Sequence, residues 1–130
     1  MDIQEKDYII ISLKDVICGD NFGLCVDKNS KFFELRKEIN TELIKLFNIL
    51  SNRTWQEAYN TSKLQNHGHE HFPINDFIEN KVKEHFYKLG YNNKCDIFRF
   101  GNKQYRACGY RKENTFYLVC CDYNYSLYKH

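Results

Sequence analysis

The feature that most constrains this chain is a series of three short runs near its C-terminus, each rich in aromatic and β-branched residues. The runs cover residues 95–100, 104–111 and 115–122, and the polar turns Gly101-Asn102-Lys103 and Lys112-Glu113-Asn114 separate them. Runs of this length between such turns are typical of β-hairpins. Because strands so close in sequence usually become antiparallel neighbours, the sequence predicts an antiparallel β-meander over the last third of the chain.

Helical periodicity dominates the middle of the chain. Apolar residues at helical spacing predict a helix over residues 31–50, with Ser30 as its N-cap. The segment Thr54-Trp55-Gln56-Glu57 has the form of a capping box and predicts a short second helix that ends near Lys63. A third helix is predicted over about residues 76–89, capped by Asp76 and stopped by Gly90.

Three further segments complete the predicted order of elements. Residues 8–13 form a β-branched run that predicts a strand, and residues 125–128 predict a short last strand. Residues 65–72, which contain His67-Gly68-His69-Glu70-His71, are polar and are interpreted as a loop. A length of 130 residues suits one domain, so the sequence predicts a single α+β domain.

The charge of the chain is unevenly distributed. Seven Lys or Arg residues and three acidic residues lie between Tyr91 and His130, which gives this part a charge of +4 in a chain whose net charge is +2. The part predicted to be sheet is therefore the part suited to an anionic partner.

The six cysteines are interpreted as reduced thiols that act as small hydrophobic residues. The chain has no CxxC pair, and its first residues, MDIQEKDY, do not resemble a secretory signal. These features predict a cytoplasmic protein. No apolar run approaches the roughly 18 residues that a membrane-spanning helix needs, so no membrane partner is expected.

Alternation assigns faces to the second and third strands of the meander. One side of the second strand carries Gln104, Arg106, Cys108 and Tyr110, and the other carries Tyr105, Ala107, Gly109 and Arg111. In the third strand, one side carries Phe116, Leu118, Cys120 and Asp122, and the other carries Thr115, Tyr117, Val119 and Cys121. Two interpretations of Arg106 stay open: an ion pair with Asp96 or Asp122 across the sheet, or an anion-binding group on an open face.

The segment IFRFGNKQYRACGYRKENTFYLVCCDYNYSLYKH resembles the C-terminal sheet of the RelE/ParE-like superfamily of bacterial toxins. It is more similar to a group of uncharacterised bacterial proteins with the same landmarks: an aromatic–Arg strand, a second Arg before a Gly, a Phe-Tyr strand, and an aromatic–Leu–Tyr ending. The helix of Trp55 and the His-Gly-His-Glu segment also look similar to that group. On this resemblance, residues 54–130 are the RelE-like core and residues 1–53 an N-terminal extension.

The resemblance implies helices packed on one face of a twisted antiparallel sheet, with mRNA bound across the other face. It implies a metal-independent endoribonuclease without a cofactor, acting on free or ribosome-bound mRNA in a toxin–antitoxin or phage-defence system, with a cognate antitoxin protein as partner. The resemblance implies functional roles for Arg106, for Arg111 and for the C-terminal Tyr128, Lys129 and His130. Together with the residue types that RNA cleavage and base stacking need, this predicts Arg106, Tyr128, His130 and His69 as catalytic residues and Arg99, Arg111, Lys129 and Tyr110 as RNA-binding residues. The ParE branch shares the architecture without the ribonuclease residues, so the fold alone does not establish the activity.

Two other functions stay open. The same basic face would also suit a non-catalytic protein-interaction module in phage defence or antidefence. Alternate histidines at 67, 69 and 71 could chelate zinc if they lay on a strand, although their spacing fits no structural zinc site. Trp55 is interpreted most simply as a core residue, and His85 as a packed or exposed residue of the third helix.

Overall fold

The structure, a computed structural model, describes residues 7–17, 33–123 and 128, with side chains from residue 37 onward in the first helix. The elements in chain order are β1 (Ile10–Ser12), α1 (Phe33–Ser51), α2 (Trp55–Tyr59), β2 (His69–Pro73), a 3-10 turn (Ile74–Asp76), α3 (Asn80–Lys88), β3 (Lys94–Phe100), β4 (Tyr105–Lys112) and β5 (Thr115–Asp122). Among these residues, no helix is long and apolar enough to cross a membrane.

The strands form one open sheet in the order β1-β5-β4-β3-β2. Strands β2 to β5 are an antiparallel meander, as the sequence predicts for its last three members. Strand β1 pairs in parallel with β5 at the opposite edge from β2. The architecture is thus mixed α/β and is compatible with the predicted α+β class.

Helices cover both faces of this sheet, so the prediction of helices on one face only is wrong. On the first face, Leu46 of α1 and Trp55 of α2 join a buried cluster with Phe98 and Phe116. On the second face, Phe86 of α3 belongs to another buried cluster, whose sheet residues include Ile97, Cys108 and Val119. The physical reason is visible in β3 and β5: both strands are apolar on both sides, as strands covered on both faces are.

A β-bulge opposite Cys108 and Gly109 changes the faces predicted for β5. Cys108 lies opposite Cys120, whereas Gly109 lies opposite Leu118, so one residue of β5 is unpaired. Cys120 therefore faces the second cluster with Val119, and Cys121 joins Leu118 on the first face. A Cβ atom at Gly109 would lie 2.1 Å from the Tyr117 carbonyl oxygen, so glycine is required at this close approach.

Several predicted boundaries also differ. The capping box of Thr54 and Glu57 is confirmed, but α2 ends at Tyr59 rather than near Lys63. The third helix is capped by Glu79, because Asp76 ends a separate 3-10 turn. The segment predicted as a loop contains the strand β2. Ser30 and residues 125–127 lie outside the described residues.

The cysteine interpretation holds for the four described cysteines. Cys95, Cys108, Cys120 and Cys121 are free and buried. Burial raises the pKa of the Cys95, Cys108 and Cys120 thiols, so these three stay protonated and unreactive as nucleophiles.

Candidate functional site

Strand β2 distributes polar side chains to both faces of the sheet. Because successive residues of a strand point to opposite faces, His69 and His71 lie on the first face and Glu70 on the second. We call His69, His71, Asp96, Arg111 and Tyr59 the histidine–aspartate site. We call Arg106, Tyr128, Glu70, Arg99 and Lys63 the Arg106 network.

The start of β2 is fixed by a tight turn that only glycine can complete. A Cβ atom at Gly68 would lie 1.8 Å from the Ser62 carbonyl oxygen. The Gly68 carbonyl accepts a hydrogen bond from the Arg99 N–H at 2.9 Å, and the His69 N–H donates to the Thr61 carbonyl at 3.0 Å. These bonds set the register of β2 against β3, in which Asp96 lies opposite His71.

Asp96 joins the two histidines. Its Oδ1 lies 2.7 Å from His69 Nε2 and 3.2 Å from His71 Nε2. Its Oδ2 accepts a hydrogen bond from the Arg111 backbone N–H at 3.2 Å. Burial opposes the charged form of this carboxylate, but the hydrogen bonds from His69 and His71 outweigh that effect and lower the pKa of Asp96. Asp96 is therefore a buried anion held by three donors.

His71 is the accessible member of this trio. Its side chain is 51% exposed, whereas the side chains of His69 and Asp96 are 4% and 8% exposed. The hydrogen bond to Asp96 raises the pKa of His71. An imidazole that is oriented by a carboxylate and open to solvent can exchange protons with a bound molecule.

A cation contacts the tyrosine that packs against these histidines. The Arg111 guanidinium lies 4.7 Å from the Trp55 ring centroid and 5.5 Å from that of Tyr59. Its Nη1 donates to the Tyr59 hydroxyl at 2.8 Å, and the Tyr59 ring lies 5.4 Å from that of His71. The site thus combines an imidazole, a phenol and a guanidinium, which can serve proton transfer and anion binding. One ring nitrogen of each of His69 and His71 and a carboxylate oxygen of Asp96 also lie within 4.8 Å of one another, as in a metal-ligand set.

On the second face, Arg106 and Tyr128 of the Arg106 network are hydrogen-bonded and shielded from solvent. Arg106 Nε donates to the Tyr128 hydroxyl at 3.0 Å, and its Nη1 donates to the Lys103 carbonyl at 2.8 Å. The Tyr128 hydroxyl donates to Glu70 at 3.2 Å, and Asp122 lies directly opposite Arg106 in the sheet. Arg106 and Tyr128 are each only 5% exposed. Burial raises the pKa of Tyr128 above its usual range.

The other two members of this network are cations. Lys63 Nζ lies 3.3 Å and Arg99 Nη2 lies 3.9 Å from the Glu70 carboxylate. Arg99 is also directly opposite Arg106 across β3 and β4. Glu70 therefore offsets part of the positive charge that two neighbouring arginines and a lysine concentrate here.

The predicted catalytic residues do not converge on one place. Arg106 and Tyr128 contact each other, but His69 lies on the opposite face of the sheet, and His130 is outside the described residues. The predicted RNA-binding residues are also divided. Arg99 lies beside Arg106 and Arg111 lies on the first face, while Lys129 is not among the described residues.

The fourth predicted RNA-binding residue, Tyr110, is packed at the far end of β4. Its ring stacks between Tyr91 and Tyr117, at centroid distances of 4.0 and 4.8 Å. Its hydroxyl donates to Asp15 at 2.5 Å. Tyr110 thus contributes to the second apolar cluster.

Sequence reasoning missed Asp96 and Tyr59 as members of a site and considered His71 only as a zinc ligand. The signal for His71 was present, because histidines two residues apart share a face if the segment is a strand. The polar composition of the segment nevertheless predicts a loop, and the register that brings Asp96 opposite His71 depends on tertiary pairing. The stacking of Arg111 on Trp55 and Tyr59 joins residues that are more than fifty positions apart in the chain, and no local pattern encodes it.

No protein-family profile, curated protein or solved structure significantly matches this chain. The resemblance to RelE/ParE-like toxins therefore stays a prediction from the motifs of the C-terminal segment.

Proposed function

We propose that this protein is a toxin-like RNA-binding protein that cleaves RNA at the histidine–aspartate site. The observation that carries the proposal is the half-exposed His71 imidazole, which the buried Asp96 carboxylate orients and which packs against the Tyr59 ring that the Arg111 guanidinium contacts. Cleavage through a 2′-hydroxyl requires a proton acceptor, a proton donor to the leaving oxygen and a cation, and His71, Tyr59 and Arg111 are groups of these three kinds.

Each group has a role in this reaction. His71 accepts the proton of the 2′-hydroxyl, whose oxygen attacks the adjacent phosphorus. Arg111 binds the phosphate oxygens, on which negative charge accumulates in the transition state. As the bond from phosphorus to the 5′-oxygen breaks, the Tyr59 hydroxyl, which accepts a hydrogen bond from Arg111, donates its proton to that oxygen. The products are a 2′,3′-cyclic phosphate and a 5′-hydroxyl, and no metal ion is needed.

The surroundings of the site favour a nucleic acid as substrate. The Tyr59 ring is exposed and next to a guanidinium, a combination on which a base can stack. Lys94, two residues before Asp96 on β3, lies on the same face as the site and is exposed. We place the proton transfer at His71 rather than at Arg106 and Tyr128, because both of these are buried and hydrogen-bonded to each other. In the cell, the expected partner is an antitoxin protein that covers the first face near β2.

The test is cleavage of a mixed-sequence single-stranded RNA by purified protein in the presence of EDTA. We expect wild-type protein to yield 2′,3′-cyclic phosphate ends and to leave a 2′-deoxy copy of the substrate intact. His71→Ala should lower the cleavage rate by about 10²- to 10⁴-fold, the range of a lost acid–base group. His67→Asn is the matched control, because His67 has a φ of 63°, which asparagine tolerates, and lies outside the site.

Two outcomes would overturn the proposal. One is that wild-type protein leaves RNA intact, and the other is that His71→Ala cleaves at the wild-type rate. If Arg106→Met and Tyr128→Phe abolished cleavage while remaining as stable as wild type, the chemistry would belong to the second face.

A second candidate function is a protein-interaction module without catalysis. It is favoured by Tyr8, Ile10 and Leu13, which expose apolar side chains on and beside the edge strand β1. Binding measured against salt concentration separates the two functions. Affinity for RNA should fall steeply as salt rises, whereas an apolar protein interface should be nearly insensitive.

A further inference from the structure

We propose that His69, His71 and Asp96 also form a binding site for a divalent transition metal ion of the Zn²⁺ type. We further infer that an ion bound there inhibits RNA cleavage, an inference that rests on the function proposed above. The metal site itself stands on geometry alone.

The three ligand atoms are already spaced for one ion. Around a tetrahedral Zn²⁺ with bonds of about 2.0 to 2.2 Å, neighbouring ligand atoms lie about 3.3 Å apart. Here Asp96 Oδ1 lies 2.7 Å from His69 Nε2 and 3.2 Å from His71 Nε2, and all three atoms fall within 4.8 Å of one another. An ion between them needs only small movements, and the exposed His71 ring is the one with room to move.

The contacts that His69, His71 and Asp96 make beyond the three ligand atoms also fit a metal site. The Arg111 backbone N–H donates a hydrogen bond to Asp96 Oδ2. This bond leaves Oδ1 as the ligand atom and fixes the plane of the carboxylate. The Tyr59 ring packs against both imidazoles, at 4.9 Å from His69 and 5.4 Å from His71, and restrains their orientation. Metal sites usually depend on such outer contacts as well as on the ligands themselves.

The ligand types select the class of ion. Two imidazoles and one carboxylate suit Zn²⁺, Co²⁺ or Fe²⁺, whereas Mg²⁺ and Ca²⁺ prefer oxygen ligands only. Three protein ligands, of which one is half exposed, leave a fourth position for water, as in open zinc sites.

The ion and the proposed reaction compete for the same His71 ring. The ion takes Nε2, and the neutral ring then carries its proton on Nδ1, the nitrogen that would accept the 2′-hydroxyl proton. A metal bound to His71 Nε2 replaces the proton that lies between this nitrogen and Asp96, so the carboxylate no longer orients a proton-accepting imidazole. Binding releases protons to solvent, because the imidazoles must be neutral to coordinate. Cleavage at His71 and metal binding therefore exclude each other.

The binding test is titration of the metal-free, untagged full-length chain with Co²⁺, followed by visible absorption and by displacement with Zn²⁺. We expect one Co²⁺ per chain, with the intense visible bands of a four-coordinate ion and without the near-ultraviolet charge-transfer bands that thiolate ligands give. Mg²⁺ in large excess should not displace it.

Matched variants locate the ion. His71→Ala and Asp96→Asn should each weaken Co²⁺ binding by more than about 100-fold, since loss of an outer contact alone typically costs 10- to 100-fold. His67→Asn and His85→Ala should bind as wild type does, because neither histidine belongs to the ligand set. Circular dichroism and thermal unfolding establish that each variant is folded.

The functional test adds Zn²⁺ to the RNA-cleavage assay. We expect stoichiometric Zn²⁺ to reduce cleavage at least tenfold and EDTA to restore it. Binding that is absent, or that His71→Ala and Asp96→Asn leave unchanged, would overturn the metal site. Cleavage that Zn²⁺ stimulates would overturn the inhibition. If wild-type protein does not cleave RNA in EDTA, the proposed function fails, while the Co²⁺ spectrum still decides the metal site.

Discussion

The histidine–aspartate site and the Arg106 network lie on opposite faces of the same edge of the sheet, and adjacent residues of β2 contribute to both. His69 and His71 point to the first face, and Glu70 points to the second. Both clusters combine a carboxylate, an arginine and a tyrosine. They differ in accessibility: His71 and Tyr59 face solvent, whereas Arg106 and Tyr128 are buried.

This difference shows that the type of residue does not decide its role. A buried arginine whose nitrogens donate to a tyrosine and a backbone carbonyl mainly satisfies buried partners. A guanidinium stacked at the surface on Trp55 and Tyr59 can still meet a phosphate. The comparison predicts that substitutions in the Arg106 network change stability most, and that substitutions in the histidine–aspartate site change activity most.

The largest effect on stability is expected for Arg106→Met. The substitution removes two hydrogen bonds of a buried guanidinium, to the Tyr128 hydroxyl and to the Lys103 carbonyl, and hydrogen bonds of charged groups contribute about 1.5 to 3 kcal/mol each. The measurement is urea-induced unfolding followed by circular dichroism. A variant as stable as wild type would show that Arg106 does not hold the second face together.

Tyr128→Phe should cost less, about 1 to 2 kcal/mol, because it removes one hydroxyl between Arg106 and Glu70. The cost should depend on pH. Since burial raises the pKa of Tyr128 above its unfolded value of about 10, the stability that the phenol contributes is present below pH 10 and is lost as pH rises further. The difference in the free energy of unfolding between wild type and Tyr128→Phe should therefore narrow above pH 10. A constant difference from pH 7 to pH 11 would contradict the buried environment of this phenol.

Arg111→Met should cost only about 1 kcal/mol of stability, because cation–π contacts at exposed sites contribute about 0.5 to 1 kcal/mol. Its effect on RNA binding should be larger. Loss of one phosphate contact to a single strand reduces the slope of log affinity against log salt by about 0.7. Lys45→Gln on α1, which removes the same charge away from the site, is the control. Equal slopes for Arg111→Met and wild type would exclude a phosphate contact at Arg111.

How much the sequence predicts differs between the two clusters. The meander, the capping box at Thr54 and the buried role of Trp55 follow from local patterns, because turn residues and caps act over a few positions. The sequence also singled out Arg106 and Tyr128, which do contact each other. The sequence could not indicate that Arg106 and Tyr128 are buried, because their burial depends on α3 covering the second face. The resemblance instead implies that this face is open to RNA.

The histidine–aspartate site was harder to predict for a different reason. Its central contact, between His71 and Asp96, depends on the register of β2 against β3, and a shift of one residue would place both histidines on the other face. The polar composition of residues 65–72 favours a loop, while backbone bonds from Gly68 and Thr61 hold the segment as an edge strand. The local signal and the tertiary pairing therefore disagree at this position.

The smallest effect on stability, and the strongest test of the comparison, is expected for His71→Ala. The imidazole is half exposed, so solvent screens its ion pair with Asp96, and substitutions at such positions usually change stability by less than about 0.5 kcal/mol. Asp96 keeps the hydrogen bonds from His69 and from the Arg111 backbone, so the buried carboxylate remains satisfied.

His69→Ala is the variant to compare with His71→Ala. The His69 ring is buried against Phe98 and Tyr59, and its loss should destabilise the protein by about 2 kcal/mol or more, because it leaves a cavity and removes the hydrogen bond to Asp96. Thermal unfolding and RNA cleavage measured on both variants separate the two roles, since His71→Ala should remain as stable as wild type yet fail to cleave. A His71→Ala protein that unfolds as easily as His69→Ala would mean that His71 supports the fold, and the division between a closed second face and an open first face would not hold.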